Sequence, residues 1–319
     1  MSSAANQTVM MTSAAKMTDP MGGEKQSLAS RTAKMLTSRI GSFVAVVIAF
    51  LWTIPTFGLF VSSFRPEAAI KTTGWWTLLS NPEFTMDNYR RVLGGSTSGE
   101  SLSGFFMNSI VITVPATLLP LALATMAAYA LSVLRWKGRD WVFVAIFALQ
   151  IVPLQMSLIP LMRIFTGFAP VAAIVNQFPF FPVWIAHTIF ALPLAVFLLH
   201  NFMGEVPREL LEAARVDGAG HVTLFFKVLL PLMLPAIASF GIFQFLWVWN
   251  DLLVGLTFTG GSNVTQPMTA ALSSMAGSRG QEWHLLTAGA FISMLVPLIV
   301  FISLQKYFVR GLLAGSVKG

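Results

Sequence analysis

Long apolar runs alternate with short polar segments along this chain, and these runs determine the predicted fold class. A helix needs about 20 mainly apolar residues to cross the hydrocarbon core of a bilayer. Runs of this length predict an all-α membrane protein with six transmembrane helices. The predicted spans cover about residues 40–64, 105–134, 141–163, 181–202, 228–258 and 285–308.

The uncharged stretch over residues 164–204 is too long for one crossing, because a single helix of this length would measure roughly 60 Å. Glycine, proline and amide residues are concentrated in its first half. We therefore expect residues 164–180 to form a loop or a helix lying at the membrane interface. The crossing itself would begin near residue 181.

The composition supports a membrane protein and excludes other classes. Charged residues make up 10% of the chain, whereas soluble domains carry about 25%. So few ionisable groups cannot cover the exterior of a soluble enzyme, and so apolar a chain is not disordered. The chain contains no cysteine, which excludes disulfides, thiolate nucleophiles and cysteine metal sites.

The distribution of basic residues predicts the orientation. Of the 20 Lys and Arg residues, 14 fall in the N-terminal arm, the C-terminal tail and the two connections on the same side, and 6 fall on the other side. Since cytoplasmic segments carry the excess of Lys and Arg, we expect a multi-pass membrane protein with both termini in the cytoplasm. Residues 1–38 are predicted to be a mobile cytoplasmic arm, and residues 39–319 the membrane domain.

The sequence contains no pattern typical of a catalytic or nucleotide site. No lysine follows a glycine, so a phosphate-binding Gly-Lys-Ser/Thr loop is absent. The four histidines form no His-Glu-x-x-His pattern, and no Gly-x-Ser-x-Gly elbow occurs. We therefore predict no catalytic residue, no metal site and no cofactor in this chain.

One acidic residue falls inside a predicted span, next to aromatic residues. Trp247, Trp249, Asn250 and Asp251 together form a candidate sugar pathway, because aromatic faces stack on sugar rings while amides and acids bind hydroxyls. An alternative interpretation is an aromatic belt at the membrane interface, with Asp251 capping a break in the helix.

The polar segment over residues 205–227 predicts two short helices joined at a glycine. Pro207 suits a helix start, and Glu209 lies near the positive end of the helix dipole. Gly218 is placed to end the helix in a left-handed conformation. The second helix leads directly into the fifth span, so a partner that grips this segment would move that span.

This segment resembles the EAA loop of ABC importer permeases. The family pattern is Glu-Ala-Ala, three residues, Gly, nine residues, Ile, any residue and Leu-Pro. Glu212, Ala213, Ala214, Gly218 and Pro231 match it, and Val228 replaces the isoleucine. Other matching stretches are similar to the carbohydrate, MalG-like branch, and residues 243–251 look most like α-glucoside and maltose permeases.

The resemblance implies a type I ABC importer permease fold and a subunit of the bacterial inner membrane that forms half of a translocation pore. Its implied partners are a second homologous permease, a homodimeric ATPase that binds ATP and Mg, an extracytoplasmic solute-binding protein, the sugar and the lipid bilayer, with no nucleic acid. Glu212 would meet the ATPase surface, Ala213 and Ala214 would allow close approach, and Gly218 would supply the bend. Asp217 and Pro231 are also predicted to belong to this coupling site. Residues 259–284 resemble the loop that probes the binding protein.

Two other functions remain as alternatives. An ion-coupled secondary sugar carrier would show an internal repeat and buried charge pairs, and inspection finds neither. An intramembrane glycosyltransferase would need acidic catalytic residues near the interface, for which Glu83 and Asp87 are the only candidates.

Overall fold

The computed structural model describes residues 39–94, 101–262, 264–276 and 282–314, and every regular element in these ranges is a helix. The helices are α1 (Arg39–Ser63), α2 (Glu67–Thr72), α3 (Asp87–Gly94), α4 (Leu102–Ser132), α5 (Arg139–Ala148), α6 (Leu154–Gly167), α7 (Ala169–Gln177), α8 (Phe181–Gly204), α9 (Arg208–Val216), α10 (His221–Asn250), α11 (Leu253–Thr259), α12 (Met268–Ala276) and α13 (Trp283–Ala314). Short 3₁₀ turns cover Trp75–Leu79 and Leu149–Ile151. The predicted arm, residues 1–38, lies outside the described residues.

Five of these helices, α1, α4, α8, α10 and α13, are long and apolar enough to cross a membrane. They correspond to five of the six predicted spans, and the predicted all-α class is confirmed. The fifth predicted span, 228–258, differs at both ends. Its helix α10 begins earlier, at His221, and ends at Asn250, and α11 follows as a separate helix.

The third predicted span, 141–163, is two helices instead of one. The segment Arg139–Ile151 and helix α6 are bent by 102° relative to each other. The bend occurs at Val152, whose backbone is extended (φ −71°, ψ 119°), immediately before Pro153. A proline disfavours helical geometry in the residue before it, so the apolar run continues while the helix does not.

The chain divides into two units, residues 1–57 and 58–319. In the first unit, α1 exposes large apolar side chains, including Phe43 (68%), Phe50 (69%) and Trp52 (79%). Such a surface is stable against lipid rather than water, which agrees with a membrane-spanning role for α1.

In the second unit, α4 and α8 pack closely through small side chains. The fully or almost fully buried alanines are Ala116, Ala124 and Ala128 on α4 and Ala186, Ala191 and Ala195 on α8. Small residues let helix backbones approach each other in a membrane, where helix association depends on van der Waals packing. Leu229, Met233 and Phe240 of α10 complete one of the resulting apolar clusters.

Polar side chains join the membrane helices by hydrogen bonds to backbone carbonyls. Gln244 Nε2 of α10 donates to the Ala116 carbonyl of α4 at 3.0 Å, and Trp184 Nε1 of α8 donates to the Val111 carbonyl of α4 at 2.9 Å. Such bonds satisfy buried polar groups and fix the helix register, so α4 is a common anchor for α8 and α10.

Candidate functional site

Residues 205–227, which we call the coupling loop after their predicted role, contain the first candidate site. The first helix of this segment is amphipathic. Leu211 and Ala214 of α9 are partly buried against the cluster of α4, α8 and α10. Glu212 and Ala213 are exposed, and Val216 is 87% exposed. One face of α9 is therefore packed on the membrane helices, and the face that contains the Glu-Ala pair is available to a partner.

The bend after α9 is a closed hydrogen-bonded turn centred on Gly218. Its φ is +84°, in the left-handed region that favours glycine. The Gly218 amide donates to the Arg215 carbonyl at 3.0 Å, and the Ala219 amide donates to the Ala214 carbonyl at 2.9 Å. This pair of bonds is the Schellman motif, in which the last carbonyls of a helix are satisfied. Ala214 therefore contributes a backbone acceptor as well as a small side chain.

Widened helical turns follow the bend. Residues Leu224–Leu229 are a π-helix between the first turn of α10 and its regular part, which begins at Leu230. Pro231 is the second residue of that regular part, and it has no N–H to donate to the carbonyl four residues earlier. The widened turns accommodate this missing bond, and such π segments occur often at functional sites.

A hydrogen bond that the sequence analysis missed joins the coupling loop to α4. Tyr129 Oη of α4 lies 2.8 Å from His221 Nδ1, at the first residue of α10. The Tyr129 ring also contacts Phe225 edge to face, with centroids 5.3 Å apart. Tyr129 and His221 are 92 positions apart in the chain, so local spacing in the sequence gives no signal for this contact. It ties the bend of the loop to a second spanning helix.

The second candidate site lies at the opposite end of α10, at a break over residues 251–252. Asp251 Oδ2 accepts a hydrogen bond from the Gly255 amide of α11 at 2.8 Å. The Asp251 carbonyl accepts one from Thr269 Oγ1 at 2.7 Å, and Asp251 Oδ2 lies 3.8 Å from His187 Nε2. Asp251 thus caps α11 and fixes the break, as in the second of the two interpretations of this segment.

The other residues of the candidate sugar pathway differ in their surroundings. Trp249 is buried, its Nε1 donates to the Ser293 carbonyl at 3.1 Å, and its ring contacts Phe106 edge to face. Asn250 Nδ2 donates to the Leu246 carbonyl of its own helix at 2.8 Å. Trp247, which is 37% exposed, lines an open cavity.

Trp247 borders two adjoining clefts with volumes of about 470 and 540 Å³. Gln150 and Phe190 line both clefts, and Gln244 lines the smaller one. His187 contacts the Trp247 ring edge to face at 5.3 Å. Aromatic rings beside amide groups suit a sugar, but the sequence did not single out Gln150 or Phe190, since nothing local distinguishes them from other residues of apolar helices.

Two polar residues of α4 hold the segment after α11 in place. Asn108 Nδ2 donates to the Val264 and Gln266 carbonyls at 2.9 and 3.0 Å. Ser109 Oγ accepts from the Met268 amide at 2.8 Å. Within the described residues, no group of three or more His, Asp or Glu side chains could hold a metal ion.

Comparison with known proteins gives the family of the chain. A family model described as the inner membrane component of binding-protein-dependent transport systems matches residues 120–313. The osmoprotective compounds uptake permease protein GgtD of Synechocystis is 51% identical over 277 residues, which are 86% of this chain and 90% of that protein. The alpha-glucoside transport system permease protein AglG of Rhizobium meliloti is 48% identical over 81% of this chain and 67% of its own length.

A solved structure gives the same fold. A chain of a bacterial ABC transporter involved in the import of the acidic polysaccharide alginate superposes with a TM-score of 0.65 at 20% identity. The match covers 88% of this chain and 98% of that chain, so the helices have the arrangement of an ABC importer permease.

Proposed function

Because the chain belongs to the family of inner-membrane components of binding-protein-dependent transport systems, we propose that it is one of two homologous permease subunits that enclose the pore of an ATP-driven sugar importer. A homodimeric ATPase would bind ATP and Mg on the cytoplasmic side, and a solute-binding protein would deliver the sugar from outside. This chain would hydrolyse no ATP and would act as the moving part of the pore.

The geometry of the coupling loop is the observation that carries this proposal. A helix that offers one exposed face and packs its other face on the membrane helices has the shape used for helix-in-groove docking. Glu212 and Ala213 would seat in a cleft of the ATPase. The bend at Asp217 and Gly218 would keep α9 at a fixed angle to α10, with Pro231 and the π segment at the entry to the span.

Movement of the ATPase would then reach the pore along two connections. One is the covalent path from α9 through Gly218 into α10. The other is the contact of Tyr129 with His221 and Phe225, which joins the loop to α4. Since α10 also borders the clefts at Trp247, rotation of this helix would change the sugar pathway while the loop moves.

The proposed sugar is an α-glucoside or a maltose-like oligosaccharide, on the strength of the 48% identity to the alpha-glucoside permease. Trp247 is the proposed contact residue, because it lines the clefts beside Gln150 and Phe190. Trp249, Asn250 and Asp251 remain predictions as contact residues. A second candidate substrate class, small osmoprotective compounds, is favoured by the 51% identity to the osmoprotectant permease.

Reconstitution into proteoliposomes tests the function. The chain, its partner permease, the ATPase and the binding protein are expected to accumulate labelled maltose or trehalose only when ATP is supplied on the ATPase side. Competition with unlabelled small osmoprotectants separates the two substrate classes. Accumulation of sugar by this chain alone, driven by an ion gradient, would contradict the proposal and favour the secondary carrier.

Single-cysteine labelling tests the proposed orientation with both termini in the cytoplasm. The chain has no cysteine of its own, so Val216→Cys in the coupling loop and Leu79→Cys in the segment after α2 each create a single thiol. Both positions are highly exposed, at 87% and 96%. A membrane-impermeant maleimide applied to intact spheroplasts is expected to label Leu79→Cys alone. The opposite pattern would reverse the orientation.

A further inference from the structure

A strongly cationic cleft lies beside the coupling loop. It has a volume of about 560 Å³ and lies between α9 and the turn that connects α4 to α5. Its charged lining residues are Arg135, Lys137, Arg139, Arg208, Arg215 and a single carboxylate, Glu212. Gly138, with φ +90°, forms the sharp turn that starts α5 and brings Lys137 and Arg139 to the same cleft.

Most of these cations have no ionic partner in the part of the chain that the structure describes. Arg139 pairs with Asp140 at 3.2 Å and also donates to the Leu134 carbonyl at 3.4 Å. The side chains of Arg135, Lys137, Arg208 and Arg215 make no ion pair or hydrogen bond with another described residue. Like charges this close repel one another, and the two carboxylates, Glu212 in the lining and Asp140 beside Arg139, offset only two of the five cations. The cleft therefore favours an anion.

The surroundings of the cleft place it at the level of lipid headgroups. It opens where α4, a membrane-spanning helix, ends at Ser132. Trp136 lines it and is held by a hydrogen bond from Nε1 to the Ala130 carbonyl at 3.0 Å. Tryptophan is enriched at membrane interfaces, where its ring lies among the headgroups.

An apolar surface adjoins the same cleft. Arg139 is the first residue of α5, and this helix exposes Trp141 (79%), Val144 (54%) and Phe147 (45%), which follow one another at helical spacing. Exposed apolar side chains on a helix of this kind are stable against lipid, as on α1. A phospholipid would satisfy both, with its phosphate on the basic residues and its acyl chains along α5.

We propose that this cleft binds the headgroup of an anionic phospholipid, whose acyl chains lie on α5. Basic pockets between membrane helices on the cytoplasmic side are suited to such headgroups. Because Arg208, Glu212 and Arg215 belong to the coupling loop, the lipid would bear on the position of α9 from the membrane side. The site does not depend on which substrate is carried, so it goes beyond the proposed function.

Lipid titration of the purified, assembled transporter in detergent tests the site. Binding of phosphatidylglycerol and of phosphatidylcholine is measured by native mass spectrometry, for wild type and for Arg135→Gln/Lys137→Gln, which leaves the coupling loop unchanged. The double variant should lose roughly thirtyfold in affinity for phosphatidylglycerol, since each basic residue near an anionic headgroup contributes about 1 kcal/mol and about 1.4 kcal/mol is tenfold. Phosphatidylcholine should bind weakly to both.

Matched controls separate a specific site from a general loss of charge. Arg90→Gln/Arg91→Gln on α3 removes two exposed cations elsewhere and should bind phosphatidylglycerol like wild type. Arg135→Lys/Lys137→Arg keeps both charges and should also retain the lipid, which shows that the loss is not due to misfolding. Equal affinity of wild type and the Gln double variant for phosphatidylglycerol would overturn the proposal.

Two further outcomes would assign the cleft to another ligand and equally overturn it. Inorganic phosphate that displaces phosphatidylglycerol at matched concentrations would indicate a site for free phosphate. Dissociation of the ATPase from the Gln double variant, with lipid affinity unchanged, would indicate an acidic surface of the ATPase as the occupant.

Discussion

α10 begins at the coupling loop and ends at the break over residues 251–252, and the two ends are stabilised by different contacts. At the loop, the turn is closed by backbone hydrogen bonds around Gly218, and the exposed face of α9 has no covering element among the described residues. At the break, side chains of this chain itself supply the bonds, with Asp251 capping α11 and Thr269 donating to the Asp251 carbonyl. The loop end leaves one helix face exposed, and the break end is largely self-contained.

This difference predicts where a small backbone change harms transport most. Gly218→Ala and Gly220→Ala both add one methyl group to open space, but φ is +84° at Gly218 and −71° at Gly220. An alanine in the left-handed region costs about 1–2 kcal/mol. We expect Gly218→Ala to lower sugar-stimulated ATP hydrolysis of the assembled transporter about tenfold, with Gly220→Ala close to wild type. Equal effects of both would show that the bend is not required for coupling.

At the break, the expected effect is on stability rather than on coupling. Asp251→Ala removes the side-chain oxygen that accepts from the Gly255 amide, and loss of a helix cap costs about 1 kcal/mol. Asp251→Asn keeps an oxygen acceptor and is the matched control. We expect a lower thermal unfolding temperature for Asp251→Ala only, with similar ATP consumed per sugar molecule transported. A changed ratio in Asp251→Asn would indicate that the carboxylate itself acts in transport.

Sequence analysis anticipated the loop end better than the break end, and the reason is physical. Proline, the Glu-Ala-Ala run and Gly218 act on their own neighbours, so their spacing specifies a helix, an exposed face and a bend. At the break, Asn108 bonds carbonyls 156 and 158 residues away. Such pairs depend on how helices pack, and hydropathy carries no information on that. The same limit applies to the clefts, where Gln150 and Phe190 come from separate segments.

In the third predicted span, hydropathy predicted one continuous helix, although a proline in the segment favoured a break. Residues 141–163 satisfy the length and apolarity of one crossing, yet Pro153 divides them into two helices at 102°. The proline was visible in the sequence, but prolines also occur within α4, α8, α10 and α13 without such a division. The presence of a proline in an apolar run therefore does not by itself decide whether the run divides into two helices.

The hydrogen bond between Tyr129 of α4 and His221 provides a test of the path from the coupling loop to the pore. The loop acts either through α10 alone or through both α10 and α4. Tyr129→Phe removes the hydroxyl that bonds His221 and keeps the ring on Phe225. Since one hydrogen bond contributes about 1 kcal/mol, we expect a fall of roughly fivefold in coupling, measured as sugar transported per ATP hydrolysed. Tyr89→Phe is the control. It removes a hydroxyl of α3 that lies 2.7 Å from Ser63 Oγ, and it should leave this ratio unchanged. A normal ratio in Tyr129→Phe would leave α10 as the only path.

The smallest effect should come from acid at the end of the molecule that contains the break. Glu67 of α2 accepts a hydrogen bond from Lys71 at 2.5 Å, and this bond, with the nearby His284, holds the pKa of the Glu67 carboxyl below its usual value. The ion pair therefore stabilises the folded protein at pH values above the pKa that Glu67 has in the unfolded chain. This stabilisation is lost as the pH falls through the pKa that Glu67 has in the folded protein. Both groups are about half exposed, so the pair contributes only about 0.3 kcal/mol. Below pH 5, the unfolding temperature of Glu67→Gln should fall less than that of wild type. The difference should be about one degree or less, from the scaling between free energy and unfolding temperature. Coupling at the loop should be unchanged. An acid-dependent change in ATP hydrolysis that Glu67→Gln abolishes would show that the two ends of α10 are linked after all.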